Sequence, residues 1–265
     1  MTRDDLARLC DGLSLRGAQV VVHASLRRLG HIEGGAAAVC AALLDMVGDA
    51  GTILMPAFTY TETLADESGG RPAVFHPELP VSGEIGAIAE AFRHVPGVLR
   101  SNHPTHSFSA WGRQARQVLS TQRDNNPLGP LKKLNVMQGQ VLLLGTSLQS
   151  ATAIHLAEEN ARLPYLGRRT ALRVNAAGYA ERVVLENTPG CSAAFFKLED
   201  ELDPSKLRSV PLPDGVARKI PIRYLVQLAA TMLENDPYAF ICGRSGCASC
   251  AAKHEGIDRA SSAAG

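Results

Sequence analysis

The sequence predicts an α/β (α+β) protein: a single domain with a central mixed sheet flanked by helices and an antiparallel C-terminal extension. Three observations lead there. Through the first part of the chain, short apolar runs of strand length alternate with longer runs of helical period. The run QVLLLG (140–145) is apolar almost throughout, as a strand covered on both faces must be. Beyond residue 165, two alternating runs face each other across a Gly-containing turn. The 265 residues are read as one domain, 1–265, with about 259–265 (RASSAAG ends the chain) as a frayed tail.

In chain order, AQVVVHA (18–24) reads as a buried strand. GGAAAVCAALLDMV (34–47) follows as a helix and GTILMPAF (51–58) as a second strand. SGEIGAIAEAFRHV (82–95) reads as a helix with Ser82 as N-cap, because a serine oxygen accepts from an orphan N–H of the first turn. HSFSAWG (106–112) alternates like a strand, and TAIHLAEENARL (152–163) has helical period. TALRVNA (170–176) and ERVVLEN (181–187) form a hairpin across Ala177-Gly178, and helices are expected near 193–202 and 222–235.

Composition excludes several classes of function. Lys plus Arg number 27 and Asp plus Glu 26, giving a net charge of +1 with no basic block, so no nucleic-acid partner is expected. No apolar run approaches the roughly 18 residues of a membrane helix. The start, MTRDDLARLCDGL, has no apolar signal core, so a cytoplasmic location is expected. There is no G-x-x-x-x-G-K-[ST], and no G-x-G-x-x-G follows a strand. GTSLQ (145–149) lacks the closing glycine of a hydrolase nucleophile elbow.

Chemistry concentrates after the 140–145 strand. Ligand sites in open α/β sheets favour the loop beyond a strand's carboxyl end. The next helix opens near Thr152 with His155 on its first turn, and Glu158 and Glu159 stand three and four residues further on, where either can share its face. A carboxylate on one ring nitrogen fixes the tautomer and makes the other a better base. The same spacing also suits a surface His–Glu pair that only supports the helix. A second feature is the turn HASLRRLG (23–30) between strand and helix. Its backbone N–H groups, Ser25 and Arg27 could receive a pyrophosphate; an ordinary βα turn with a surface arginine would look the same.

The six cysteines divide in two. Cys10 and Cys40 lie in helical patterns as plain buried thiols. Cys242, Cys247 and Cys250 crowd into a short C-terminal stretch, and C-x-x-C is a recurrent zinc half-site. Free thiols or a disulfide are the alternatives. A closed site needs a fourth ligand, and His254 is the local candidate.

Five segments in order, VVHASLRRLGHIEGG (21–35), GTILMPAFTYT (51–61), RSNHPTHSFSAWG (100–112), VLLLGTSLQSATAIHLAE (141–158) and ENTPGCS (186–192), resemble the aminoglycoside 3-N-acetyltransferase family. This family lies outside the common acetyltransferase superfold. The resemblance implies transfer of acetyl from acetyl-CoA to an aminoglycoside, at the 3-amine of 2-deoxystreptamine, and hence antibiotic resistance. It implies catalytic roles for His155 and Glu158, and an oxyanion-holding hydroxyl for Thr152. Ser25, Leu26 and Arg27 would contact CoA, with Thr59 and Ser107 along the pantetheine channel. Some relatives pair a cysteine in the P-G-C turn with a C-terminal C-x-x-C, which makes Cys191 the fourth ligand of a structural zinc in preference to His254. A polycationic acceptor calls for carboxylates. Glu62, Asp66, Glu67, Glu186, Glu199, Asp200, Glu201 and Asp203 are candidates, with Glu186 foremost and Asp66 beside it. Two alternatives stay open: the same transfer to a non-antibiotic amine, and a zinc-stabilised binding protein without activity.

Overall fold

The computed structural model describes residues 1–64, 71–161 and 167–263. In chain order its elements are α1 (Arg3–Cys10), β1 (Gln19–Ala24), α2 (Gly35–Val47), β2 (Thr52–Pro56), α3 (Tyr60–Thr63), β3 (Val74–Phe75), α4 (Ala87–Arg93), β4 (Leu99–Arg100), β5 (Phe108–Gly112), α5 (Ala115–Leu119), α6 (Gly129–Val136), β6 (Gln140–Leu144), α7 (His155–Asn160), β7 (Gly167–Val174), β8 (Ala180–Thr188), β9 (Arg208–Leu212), β10 (Gly215–Pro221), α8 (Ile222–Asn235) and α9 (Ala248–Ala263). The main sheet has the order β4-β5-β2-β1-β6-β10-β9, and β3-β7-β8 form a second, smaller sheet.

The middle of the main sheet is parallel: β1 pairs with β2 on one side and with β6 on the other. Antiparallel strands flank it, β5 beside β2 and β10 beside β6. Both faces are covered, and the side chains sort by parity. Val20, Val22, Ile53, Met55, Leu142 and Leu144 join the core under α1, α2 and α4. Val21, Leu54, Val141 and Leu143 join the core under α5, α6, α7 and α8. This two-sided burial is why these strands read as continuous apolar runs.

The mixed sheet flanked by helices is as expected, and the 167–188 hairpin forms. It builds a sheet of its own with β3 rather than extending the main one. Several expectations are corrected. The 82–95 helix is interrupted: a 3-10 turn at Gly83–Ile85 precedes α4, and Gly86 between them has φ +95°. Ser82 does not cap it; its hydroxyl donates to Glu62 and accepts from the Thr61 N–H. The 193–202 segment is a 3-10 turn at Ala193–Leu198 rather than an α-helix. The tail expected to fray is helical to Ala263. The β9–β10 hairpin, absent from the expectations, completes the main sheet; its Pro211 sits on the edge strand, where a missing N–H costs no ladder bond. Among the described residues, no helix is long and apolar enough to cross a membrane.

Candidate active site

A cleft of about 970 Å³ opens at the carboxyl ends of β1, β2 and β6. One wall is the turn after β1. Ser25 and the 3-10 turn Leu26–Leu29 follow the strand directly, and the Ser25 N–H donates to the Leu144 carbonyl at 2.9 Å. Ser25, Leu26, Arg27 and Arg28 all line the cleft. The end of β6 closes tightly on this turn. Gly145 has φ +66°, and a Cβ there would stand 2.7 Å from the Arg28 Cβ, so glycine is required.

The opposite wall carries His155. Thr152–Ile154 form a 3-10 turn and α7 begins at His155, so His155 and Thr152 both line the cleft. The His155 Nδ1 is 2.5 Å from Glu158 Oε2. Glu159 points elsewhere, to an ion pair with Lys132. The spacing alone left both carboxylates open; the fold brings Glu158 to the ring. Phe195 packs edge-on against the imidazole with centroids 4.7 Å apart, so the ring is held on its apolar side as well. Glu158 has no exposed surface. Burial by itself would raise its carboxyl, but the His155 ring and the Lys253 ammonium outweigh that and hold it below the ordinary carboxylate range.

Lys253 was not expected at the site. It lies on α9, 95 residues from Glu158 in sequence, yet its Nζ donates to Glu158 Oε1 at 2.7 Å and to the Cys191 carbonyl at 3.1 Å. A lone lysine in a polar tail carries no local signal of burial. His106 was also missed. It is buried, lines the cleft, and sits between Phe58 at 4.8 Å and Tyr60 at 5.8 Å, centroid to centroid. Burial pushes its ring well below the usual histidine range, and the nearby His103, His155 and Arg169 charges add to this. The signal available was parity: His106 shares a face with the core residues Phe108 and Ala110. His23, taken as a core histidine, is buried and also lines the cleft; burial pushes it down to about 3. His103 is structural, its Nδ1 accepting from the Thr105 and His106 N–H groups.

Three residues expected to contact substrate do not line the cleft. Thr59 and Ser107 are fully buried and do not line the cleft. The Thr59 hydroxyl donates to the Pro104 carbonyl at 2.7 Å, and the Ser107 hydroxyl donates to the Ala57 carbonyl at 2.6 Å. Both hydroxyls are spent on pinning loops. Glu186 is exposed on β8 beside Arg168, and its backbone N–H is tied to the Asp124 carbonyl, away from the cleft. Asp66 and Glu67 lie outside the described residues. Among the described residues, Glu84 is the one carboxylate that lines the cleft, against Arg27, Arg28, Arg169 and Arg244.

Beside the His155 wall, the sulfurs of Cys191, Cys242, Cys247 and Cys250 lie within 4.8 Å of one another. Tetrahedral thiolates about 2.3 Å from an ion would stand roughly 3.8 Å apart, so the donor set fits a closed four-sulfur site. Four thiolates this close would repel one another without a cation between them. His254 is not part of the cluster; it pairs with Asp258 at 2.9 Å on the exposed side of α9. The approach of the P-G-C turn to α9 needs Gly190, where a Cβ would meet the Ser249 hydroxyl at 2.2 Å. That hydroxyl accepts from the Cys191 N–H. None of the six cysteines is paired in a disulfide.

A family model described as aminoglycoside 3-N-acetyltransferase matches residues 21–234. The chain is 32% identical over 231 residues to aminoglycoside N(3)-acetyltransferase IV of Salmonella sp, covering 85% of this chain and 84% of that one. It is 38% identical over 167 residues to the SPbeta prophage-derived aminoglycoside N(3')-acetyltransferase-like protein YokD of Bacillus subtilis (strain 168). That match spans 57% of this chain and 61% of the relative. Among solved structures, a mutant of aminoglycoside acetyltransferase AAC(3)-IVa in complex with a gentamicin superposes with a TM-score of 0.80, at 29% identity and 97% coverage of both chains. AAC-IIIb in a binary complex with CoASH superposes with a TM-score of 0.77, at 26% identity over 89% of this chain and 97% of that one.

Proposed function

Because the chain belongs to the aminoglycoside 3-N-acetyltransferase family, we propose that it moves the acetyl group of acetyl-CoA directly to the 3-amine of an aminoglycoside's 2-deoxystreptamine ring. The observation that carries this reading is the buried His155–Glu158 pair on one wall of a cleft whose other wall is the Ser25–Arg28 turn. A solved relative holds CoASH, and another holds a gentamicin.

In this reading the Arg27 side, with its N–H groups and cationic side chains, takes the CoA phosphates. The acceptor amine stands by His155. Since Nδ1 is committed to Glu158, Nε2 is the nitrogen that takes a proton. The amine lone pair attacks the thioester carbon and its proton passes to Nε2. The C–S bond then breaks, and the imidazolium returns the proton to the departing CoA thiolate. Glu158 orients the ring and offsets its transient charge. Thr152 offers a hydroxyl to the carbonyl oxygen as it becomes negative. Because α7 has six residues, that hydroxyl carries the role and the helix dipole adds little. The four-sulfur cluster would hold a structural zinc that fastens α9 to the P-G-C turn; it has no open position and takes part in no step. Use of acetyl-CoA, and a four-cysteine cluster that must stay reduced to bind a metal, support a cytoplasmic location.

One observation favours a second reading, transfer to a less cationic amine: arginines outnumber carboxylates on the described cleft walls. The deciding experiment is release of CoA thiol with a panel of aminoglycosides and simple amines, with the acetylated position assigned on the product. We expect turnover with at least one aminoglycoside and acetylation at the 3-amine. Turnover only with weakly cationic amines would establish the second reading, and no turnover with any amine would overturn both.

A further inference from the structure

Glu158 has two side-chain partners, and the proposed mechanism uses one. Its Oε2 meets the His155 ring, and its Oε1 receives the Lys253 ammonium at 2.7 Å. Both members of the second pair are shut off from solvent, Glu158 at 0% and Lys253 at 2% exposure. Lys253 is delivered by α9, one turn after Cys250. The Cys191 carbonyl takes another of its protons at 3.1 Å, so the ammonium is aimed from two sides.

We propose that Lys253 is a positioning residue of the acetyl-transfer site, holding and neutralising Glu158 so that the His155–Glu158 pair stays free of an extra proton and able to accept one. This rests on the reading of His155 as the base. Lys253 supplies charge balance in a dry place. With Lys253 charged, Glu158 ionised and the imidazole neutral, the buried set has no net charge. Without Lys253, the same set is a buried anion next to a ring nitrogen, and it would relieve that by binding a proton. A pair already holding a proton cannot take one from an amine.

The other charged and titratable groups around the pair do not supply this balance. His106 and Arg169 lie across the cleft side, and burial keeps His106 neutral. Lys132 is engaged with Glu159. The Cys191 sulfur lines the cleft as one of the four clustered sulfurs, and a thiolate there would add negative rather than positive charge, so it does not replace Lys253.

The test is an NMR titration of the His155 ring in the whole protein, alongside the pH–rate profile, for wild type, Lys253→Met and Lys253→Gln. Gln retains a donor for Glu158 and the Cys191 carbonyl while removing the charge, so it covers the case in which Met does not fold. We expect both variants to bind the ring proton at a pH higher by at least about one unit, with the acid limb of kcat moving the same way. In a Glu158→Gln background the displacement should vanish. An unmoved ring titration in a folded variant, even with kcat reduced, would overturn the proposal and leave Lys253 an anchor for the tail. A displacement that persists without Glu158, or failure of both variants to fold, would overturn it equally. The ring titration needs no turnover. A protein that acetylates nothing would therefore refute the proposed function separately.

Discussion

His155 and His106 line the same cleft, are both buried, and stand in opposite electrical surroundings. His155 has a carboxylate on Nδ1 and, behind it, an ammonium. His106 has the Thr105 hydroxyl at 2.8 Å and two aromatic rings, and burial with nearby positive charge drives it well below the usual range. A proton reaching His155 meets a compensating charge; one reaching His106 meets a hydroxyl and ring faces. Residue type and burial therefore do not make a base. In the proposed mechanism the fixed anion does, and the cation behind it would keep that anion available.

The sharpest way to break this contrast is to give His155 the surroundings of His106. Glu158→Gln retains an acceptor for the ring but removes the charge, and kcat should fall by about 10²-fold. Glu159→Gln, whose carboxylate is held by Lys132 away from the ring, should stay within a factor of about 2 of wild type. A damaged Glu159 variant beside an intact Glu158 variant would transfer the role.

The next effect concerns the clasp that brings α9, and Lys253 with it, to the site. Protein purified without chelator should contain one zinc per chain, measured by metal analysis, and its absence would end the zinc proposal. Removing the metal should lower the thermal midpoint, by about 2–4 °C for each kcal/mol lost, with activity falling as a consequence. Cys191→Ser should lose the metal and His254→Ala should keep it; the reverse would make His254 the fourth ligand.

The smallest effect comes from the histidines without a carboxylate. Unfolded, they titrate near 6.5; folded, His23 lies at about 3 and His103 at about 4. Between those values the unfolded chain binds more protons, so stability is complete above about 6.5 and is lost as the pH falls. Each contributes a slope of about 1.4 kcal/mol per pH unit in that window. Glu158, whose carboxyl is depressed, adds a further loss below its unfolded value of 4.5. Denaturant titrations between pH 4 and 7 should show this slope, and His23→Asn should flatten it by one proton. An unchanged slope would mean that His23 is protonated in the folded protein.

How much of this was legible depended on distance along the chain. The central strands announced themselves because two-sided burial demands unbroken apolar runs. The pair His155–Glu158 was legible in part: helix spacing put both Glu158 and Glu159 within reach of His155, and the family resemblance chose Glu158. The Ser25–Arg28 turn was legible as a strand followed at once by polar residues. Lys253 was not, since nothing near it in sequence says that Glu158 lies 95 residues back. The C-terminal segment was misread as loose because its small residues lack a strong apolar face, although alanine is the best helix former. Thr59, Ser107 and Glu186 stand off the cleft walls for a related reason. A motif fixes that a residue matters locally, while a hydroxyl can serve a loop as readily as a ligand.

The most direct test of the account is the rate of CoA thiol release by wild type and His155→Ala with the same aminoglycoside, with the fold of the variant checked by its thermal midpoint. We predict a folded variant with kcat reduced about 10²–10⁴-fold. A folded His155→Ala protein that acetylates at close to the wild-type rate would contradict it.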